Sequence, residues 1–215
     1  MQRPQAAQGD DNGRDSLREP LATLRDQIDR LDEALLDLVE KRLAAAQTIA
    51  ALKSASQDGH LKLRPRREQA IVARLAGRAA LAPRELVEAL WRELMAYSLQ
   101  AQVRTDLVLH GNDLQSLTAC VRQRFGSAAQ LRSAATVVEA LAAAASEEAV
   151  AIVALDEEAG WIDSLDKRLS IFDWLRDAQG EVVAVAVGRI PVEEMPDHPA
   201  LGTLPKGPGP KGTGR

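Results

Sequence analysis

Cysteine, histidine and aromatic residues are all scarce in this chain, and each scarcity closes off a class of function. Cys120 is the only cysteine among 215 residues, which excludes a disulfide framework and a thiolate metal cluster. The three histidines, His60, His110 and His198, are far apart and form no HxxxH or HExxH pair, so no metal centre is expected. Three Trp, two Phe and one Tyr, beside abundant Ala and Leu, favour helix packing over sheet. No apolar run approaches the ~18 residues of a membrane span, and residues 1–20 contain no apolar signal region, so a cytoplasmic protein without a membrane partner is expected. The formal charge of −4 and pI of about 5.5 provide no global basic field, so no nucleic-acid partner is expected either.

What is present is a core-forming composition, 46% hydrophobic, enough for one or two domains. The chain is organised around residues 24–53. Apolar residues at Leu24, Ile28, Leu31, Leu35 and Leu38 follow steps of four and three, the spacing that lines one helix face. The stripe meets Arg42 where another leucine would continue it, then resumes with Ala45, Ala46, Ile49 and Leu52 beside Lys53. A guanidinium on a packed face calls for an anion. Arg42 and Lys53 share that face ~16 Å apart along the axis, a gap suited to a small anionic molecule.

Taken in order, residues 1–20 read as a disordered lead. A first helix is expected over 21–54, ~50 Å long, against a radius of gyration of about 13 Å for a compact 100-residue domain. A second copy is needed to cover such a helix, so a homodimer paired through it is expected. Arg25 lies ~25 Å from Arg42 along the helix; an antiparallel partner would bring the second copy's Arg25 to the first copy's Arg42 and Lys53. Gly59 breaks the helix. A second helix is expected over 65–78, with Arg67 and Glu68 in its first turn, and a third over 82–103, where Ser98 and Gln102 continue an apolar stripe. Beyond residue 105 the pattern changes to α/β, with strands expected over 107–109, 149–155 and 181–187 and helices over 114–125 and 135–145. From residue 191 the Gly and Pro content reads as a disordered tail. The domains are therefore 1–20 lead, 21–105 helical, 106–190 α/β and 191–215 tail.

LRDQIDRLDEALLDLVEKR at 24–42, Lys53 eleven residues on, PRRE at 65–68, and Ser98 with Gln102 together resemble the all-helical chorismate mutase family, in particular the mutase domain of the bacterial bifunctional P-protein. The resemblance covers about 21–102. It implies a three-helix, helix-swapped dimeric bundle that converts chorismate to prephenate without cofactor or metal. Within it, Arg25 would enter from the other protomer, and Arg42, Lys53, Arg67, Glu68, Ser98 and Gln102 would line the site. Arg64 departs from the family, many members of which carry Asp there.

The α/β segment resembles the start of a prephenate dehydratase domain. It lacks the Thr-Arg-Phe triplet and the ESRP segment, so an inactive accessory domain is expected. The overall class is thus α plus α/β. The rearrangement is pericyclic and needs no nucleophile, only a held conformation and donors where negative charge grows on the ether oxygen. Arg25 and Arg42 suit the carboxylates, Lys53 and Gln102 the ether oxygen, Glu68 the ring hydroxyl and Ser98 a carboxylate, with Arg67 supporting the anionic end. The alternatives are an isochorismate pyruvate lyase of the same fold, against which Glu68 argues, and a non-enzymatic helical dimer acting as scaffold or metabolite sensor.

Overall fold

The computed structural model describes residues 11–53, 60–146, 148–155 and 159–196. The first ten residues and those from 197 onward, on which parts of the expected lead and tail fall, lie outside them. The chain divides into two compact units, 1–44 and 45–215.

The first unit is the greater part of one helix, α1, Asp11–Lys53. It begins ten residues before the expected start, so positions 11–20 are helical rather than a disordered lead. The helix runs through Pro20, whose ring removes one backbone donor. Just beyond it, the Thr23 hydroxyl donates to the Glu19 carbonyl at 3.0 Å. Leu24, Ile28, Leu31, Leu35 and Leu38 remain between 53% and 62% exposed, so the stripe that defines this helix is uncovered within one chain. Among the described residues no helix is long and apolar enough to cross a membrane.

The second unit holds two more helices and a sheet. Helix α2, Pro65–Ala76, starts with proline at a favoured first position. Helix α3, Arg84–Gln102, follows Pro83. Then come β1 (Asp106–His110), α4 (Leu114–Phe125), β2 (Leu131–Ser133), α5 (Val137–Ser146), β3 (Ala149–Ala154), β4 (Ser170–Arg176) and β5 (Val182–Gly188). The strand order is β2-β1-β3-β5-β4. β1 is parallel to β2 and β3, whereas β5 runs antiparallel to both β3 and β4. The all-helical part is therefore confined to the chain before residue 103, and a mixed sheet with two helices, α4 and α5, follows.

Alternation along the strands builds two cores. Leu107, Leu109, Val150 and Ile152 pack with Leu117, Val121 and Phe125 of α4. Val108, Ala151 and Val153 pack with Ala140, Ala143 and Ala144 of α5. A period of two thus sends successive side chains to opposite faces, each covered by a helix. The strands β2 and β4 were not expected: β2 is only three residues long, and Asp173 interrupts the apolar run of β4.

Two connections tie the segment that leads into α2 to the chain that follows β5. Leu61, fully buried in the α4-side core, donates its N–H to the Arg189 carbonyl at 2.9 Å. At the other end of the unit, Pro191 and Pro196 are buried around a 3₁₀ turn at Val192–Glu194, and Glu194 sits 3.9 Å from Arg64. Residues 191–196 are thus ordered structure rather than the start of a tail, because the prolines pack and Arg64 meets Glu194.

Gly126 closes α4 with φ +75, a conformation that L residues adopt at a cost. A Cβ there would meet the Ala96 Cβ at 3.0 Å and the Glu93 carboxylate at 3.1 Å. Gly126→Ala is expected to destabilise the fold by about 1–3 kcal/mol, from adverse backbone conformation and crowding together. Urea unfolding measures this, and an unchanged midpoint would contradict it.

Candidate functional site

Each candidate residue has a definite place on the helices. Arg25 is exposed on α1, and Arg42 is half-buried seventeen positions further along the same helix. Burial pushes the Arg42 guanidinium below its ordinary pKa, the direction expected of a cation partly withdrawn from water. Lys53 is the last residue of α1. Arg67 is exposed in the first turn of α2, directly before half-buried Glu68.

Ser98 and Gln102 do come together. Ser98 is 6% exposed and its hydroxyl donates to the Leu94 carbonyl at 2.6 Å. The Gln102 side-chain amide donates to the Ser98 carbonyl at 3.1 Å. They occupy successive turns of one α3 face, and both bond to their own helix, as polar residues in a helix commonly do.

Glu68 faces elsewhere. Its carboxylate lies 3.6 Å from Arg124 Nη1, and Arg124 Nε donates to Asp173 Oδ2 in a charge-assisted bond. Asp173, 6% exposed, also accepts from the Trp174 N–H at 2.8 Å. The Arg124 guanidinium stands 4.9 Å from the Phe125 ring centroid, within cation–π range. One cation is therefore held between two acids, one from α2 and one from β4. Burial pushes the Glu68 carboxyl up, opposed by Arg124 and reinforced by Asp173 and Glu194. Arg124 is pushed up, the two carboxylates outweighing its own burial.

This ion-paired cluster opens on a cavity of about 340 Å³ bounded by α2, α3, the end of α4, β1 and β3. Its lining includes Glu68, Arg92, Leu99, Thr105, Leu107 and Arg124, but neither Ser98 nor Gln102. At 3.6 residues per turn, Arg92, Met95 and Leu99 point roughly 100° round α3 from the Ser98 face. Glu68 therefore stands in the lining of this cavity, and Ser98 and Gln102 stand outside it. Arg25 and Arg42 belong to the first unit.

Arg92, Arg124 and Asp173 escaped the sequence reading. Arg124 closes a helix and Arg92 stands four residues after Glu88 in a charge-rich helix, where a solvated role is the ordinary expectation. No local signal marks the pairing of Arg124 with Glu68 and Asp173, which lie 56 and 49 positions away. Cys120 is buried and burial pushes its thiol up, which makes it a poor nucleophile.

A family model described as chorismate mutase type II matches residues 24–103, a little over a third of the chain, including every candidate site residue from Arg25 to Gln102. No curated protein and no solved structure matches the chain.

Proposed function

We propose, starting from the match to chorismate mutase type II, that the helical part catalyses the rearrangement of chorismate to prephenate in aromatic amino acid biosynthesis, in the cytoplasm, as a homodimer paired through α1. The observation that carries this reading is the uncovered stripe of α1, Leu24 to Leu38, on the helix that also bears Arg25 and half-buried Arg42. An antiparallel copy covering that stripe brings Arg25 of one protomer toward Arg42 and Lys53 of the other.

In this arrangement Arg25, Arg42 and Lys53 hold the two substrate carboxylates, with Ser98 donating to one of them and Arg67 supporting the anionic end. Lys53 and Gln102 donate to the ether oxygen as its bond breaks, and Glu68 accepts from the ring hydroxyl. The gain comes from fixing the reactive conformer and from donors already aimed at developing charge. Gln102 is neutral and acts irrespective of pH. We further propose that the helical part is of the P-protein mutase type, that 21–105 and 106–190 are distinct sequence domains, and that the second is a dehydratase-like accessory domain.

A metabolite-sensing dimer is the second reading, favoured by one observation: Glu68 is already engaged by Arg124. Following the loss of chorismate absorbance with purified protein, a chelator and no added cofactor decides between them. Conversion to prephenate is the expected outcome. A folded dimer that leaves chorismate unchanged would exclude the mutase reading, and pyruvate release from isochorismate would point to the lyase.

A further inference from the structure

The cavity beside Glu68 has a cation to spare. Arg92 lines it and is half-buried, yet among the described residues its guanidinium makes no hydrogen bond and no ion pair. Glu88 and Glu93 act on it only from longer range, and burial together with the like charge of Arg124 pushes it below its ordinary value. Glu88 is paired instead with Arg84 at 2.7 Å, and Arg124 is committed to Glu68 and Asp173. A guanidinium partly removed from water with no carboxylate in direct contact is a standing demand for an anion.

The remaining wall specifies the rest of the occupant. Leu63, Val72, Met95, Leu99, Leu107 and Phe125 all line the cavity, so the body of a ligand meets hydrocarbon. At about 340 Å³ the space falls at the small end of the range for small-molecule sites. Glu68 and Glu88 also line it, and their charges oppose a second negative group on the ligand.

We propose that the cavity between α2, α3 and the sheet is a binding site for a small monocarboxylate with an apolar, ring-sized body, its carboxylate held by Arg92. The site shares Glu68 with the proposed chorismate site but not Ser98 or Gln102, and its existence does not depend on mutase activity.

Phenylacetate is a suitable probe, and phenylacetamide is its uncharged counterpart. Calorimetric titration of the full chain is expected to show saturable phenylacetate binding, weakened at least about tenfold when the amide replaces the acid or when Arg92→Gln removes the charge. Arg92→Lys should recover part of the loss, and Arg42→Ala should leave binding unchanged. No saturable binding would overturn the proposal, as would equal binding of the two probes. So would a loss in Arg42→Ala without one in Arg92→Gln, which would move the probe to the proposed substrate site. A chain inert toward chorismate that still binds phenylacetate through Arg92 would refute the mutase reading and leave this site standing.

Discussion

Arg42→Ala is expected to lower kcat/KM for chorismate by about 10²–10³-fold while the protein remains a dimer, the loss typical of one preorganised donor at developing or bound charge. Arg25→Ala should act in the same direction. The two positions are seventeen residues and ~25 Å apart on one straight helix, too far to serve one small substrate from the same chain. If each site takes Arg25 from one protomer and Arg42 from the other, co-expressing the two variants creates mixed dimers in which one site carries both defects and the other carries none. With random pairing, half the dimers are mixed and each has one intact site, so about a quarter of the wild-type rate should return. Steady-state kinetics on the co-expressed mixture, with sedimentation to establish the dimer, would test this. Activity no greater than the average of the two single variants would exclude shared sites and with them the proposed role of α1.

The legible parts of this chain were those whose signal is local. The α1 stripe follows from leucine spacing alone. The bounds expected for the helix at 114–125 coincide with α4, Leu114–Phe125, where Asp113 accepts from the Ser116 N–H at 3.0 Å and so supplies the N-cap that the pattern implies. The buried runs of β1, β3 and β5 were equally plain, because each is bordered on both faces by a helix or core and is apolar almost throughout.

What stayed hidden depends on distant partners. β2 is three residues, Leu131–Ser133, and carries Arg132 in its middle; its pairing with β1 makes it a strand. β4 contains Asp173 in an otherwise apolar run, which breaks the pattern, and the buried carboxylate is met by Arg124 and by the Trp174 N–H. Positions 11–20 contain Gly13 and Pro20, both helix-weakening, yet they continue α1. Leu61 follows the break expected at Gly59, where no local pattern marks a core residue, and fills the core on the α4 side of the sheet. The site divided in the same way. Candidate residues on α1 and α3 were readable from helical spacing, whereas the pairing of Glu68 with Arg124 and Asp173 joins three distant stretches of sequence through the fold.

That pairing sets the largest stability effect expected of a single substitution. Arg124→Met keeps most of the side-chain volume but leaves the Glu68 and Asp173 carboxylates, 19% and 8% exposed at the side chain, without the cation between them. Removing one partner of an enclosed ion pair costs about 3–5 kcal/mol, since the remaining charge is left desolvated. By contrast, Arg84→Ala, which breaks the exposed Arg84–Glu88 pair at 2.7 Å, should cost only a few tenths to ~1 kcal/mol.

The deficit should also depend on pH in a definite direction. Glu68 already titrates above its ordinary 4.5 in the folded protein, so the fold binds this proton more tightly than the unfolded chain does. Its contribution favours folding fully below pH 4.5 and is lost as pH rises through the folded value. Without Arg124, which holds the Glu68 pKa down, the folded value rises further and the penalty at neutral pH grows. Urea unfolding of wild type and Arg124→Met should therefore show a deficit of about 3–5 kcal/mol at neutral pH, narrowing as the pH approaches 4.5. A deficit under ~1 kcal/mol would mean that water, rather than Arg124, satisfies these carboxylates. A deficit that stays constant with pH would remove Glu68 from its cause and leave Asp173 as the only acid that depends on the arginine.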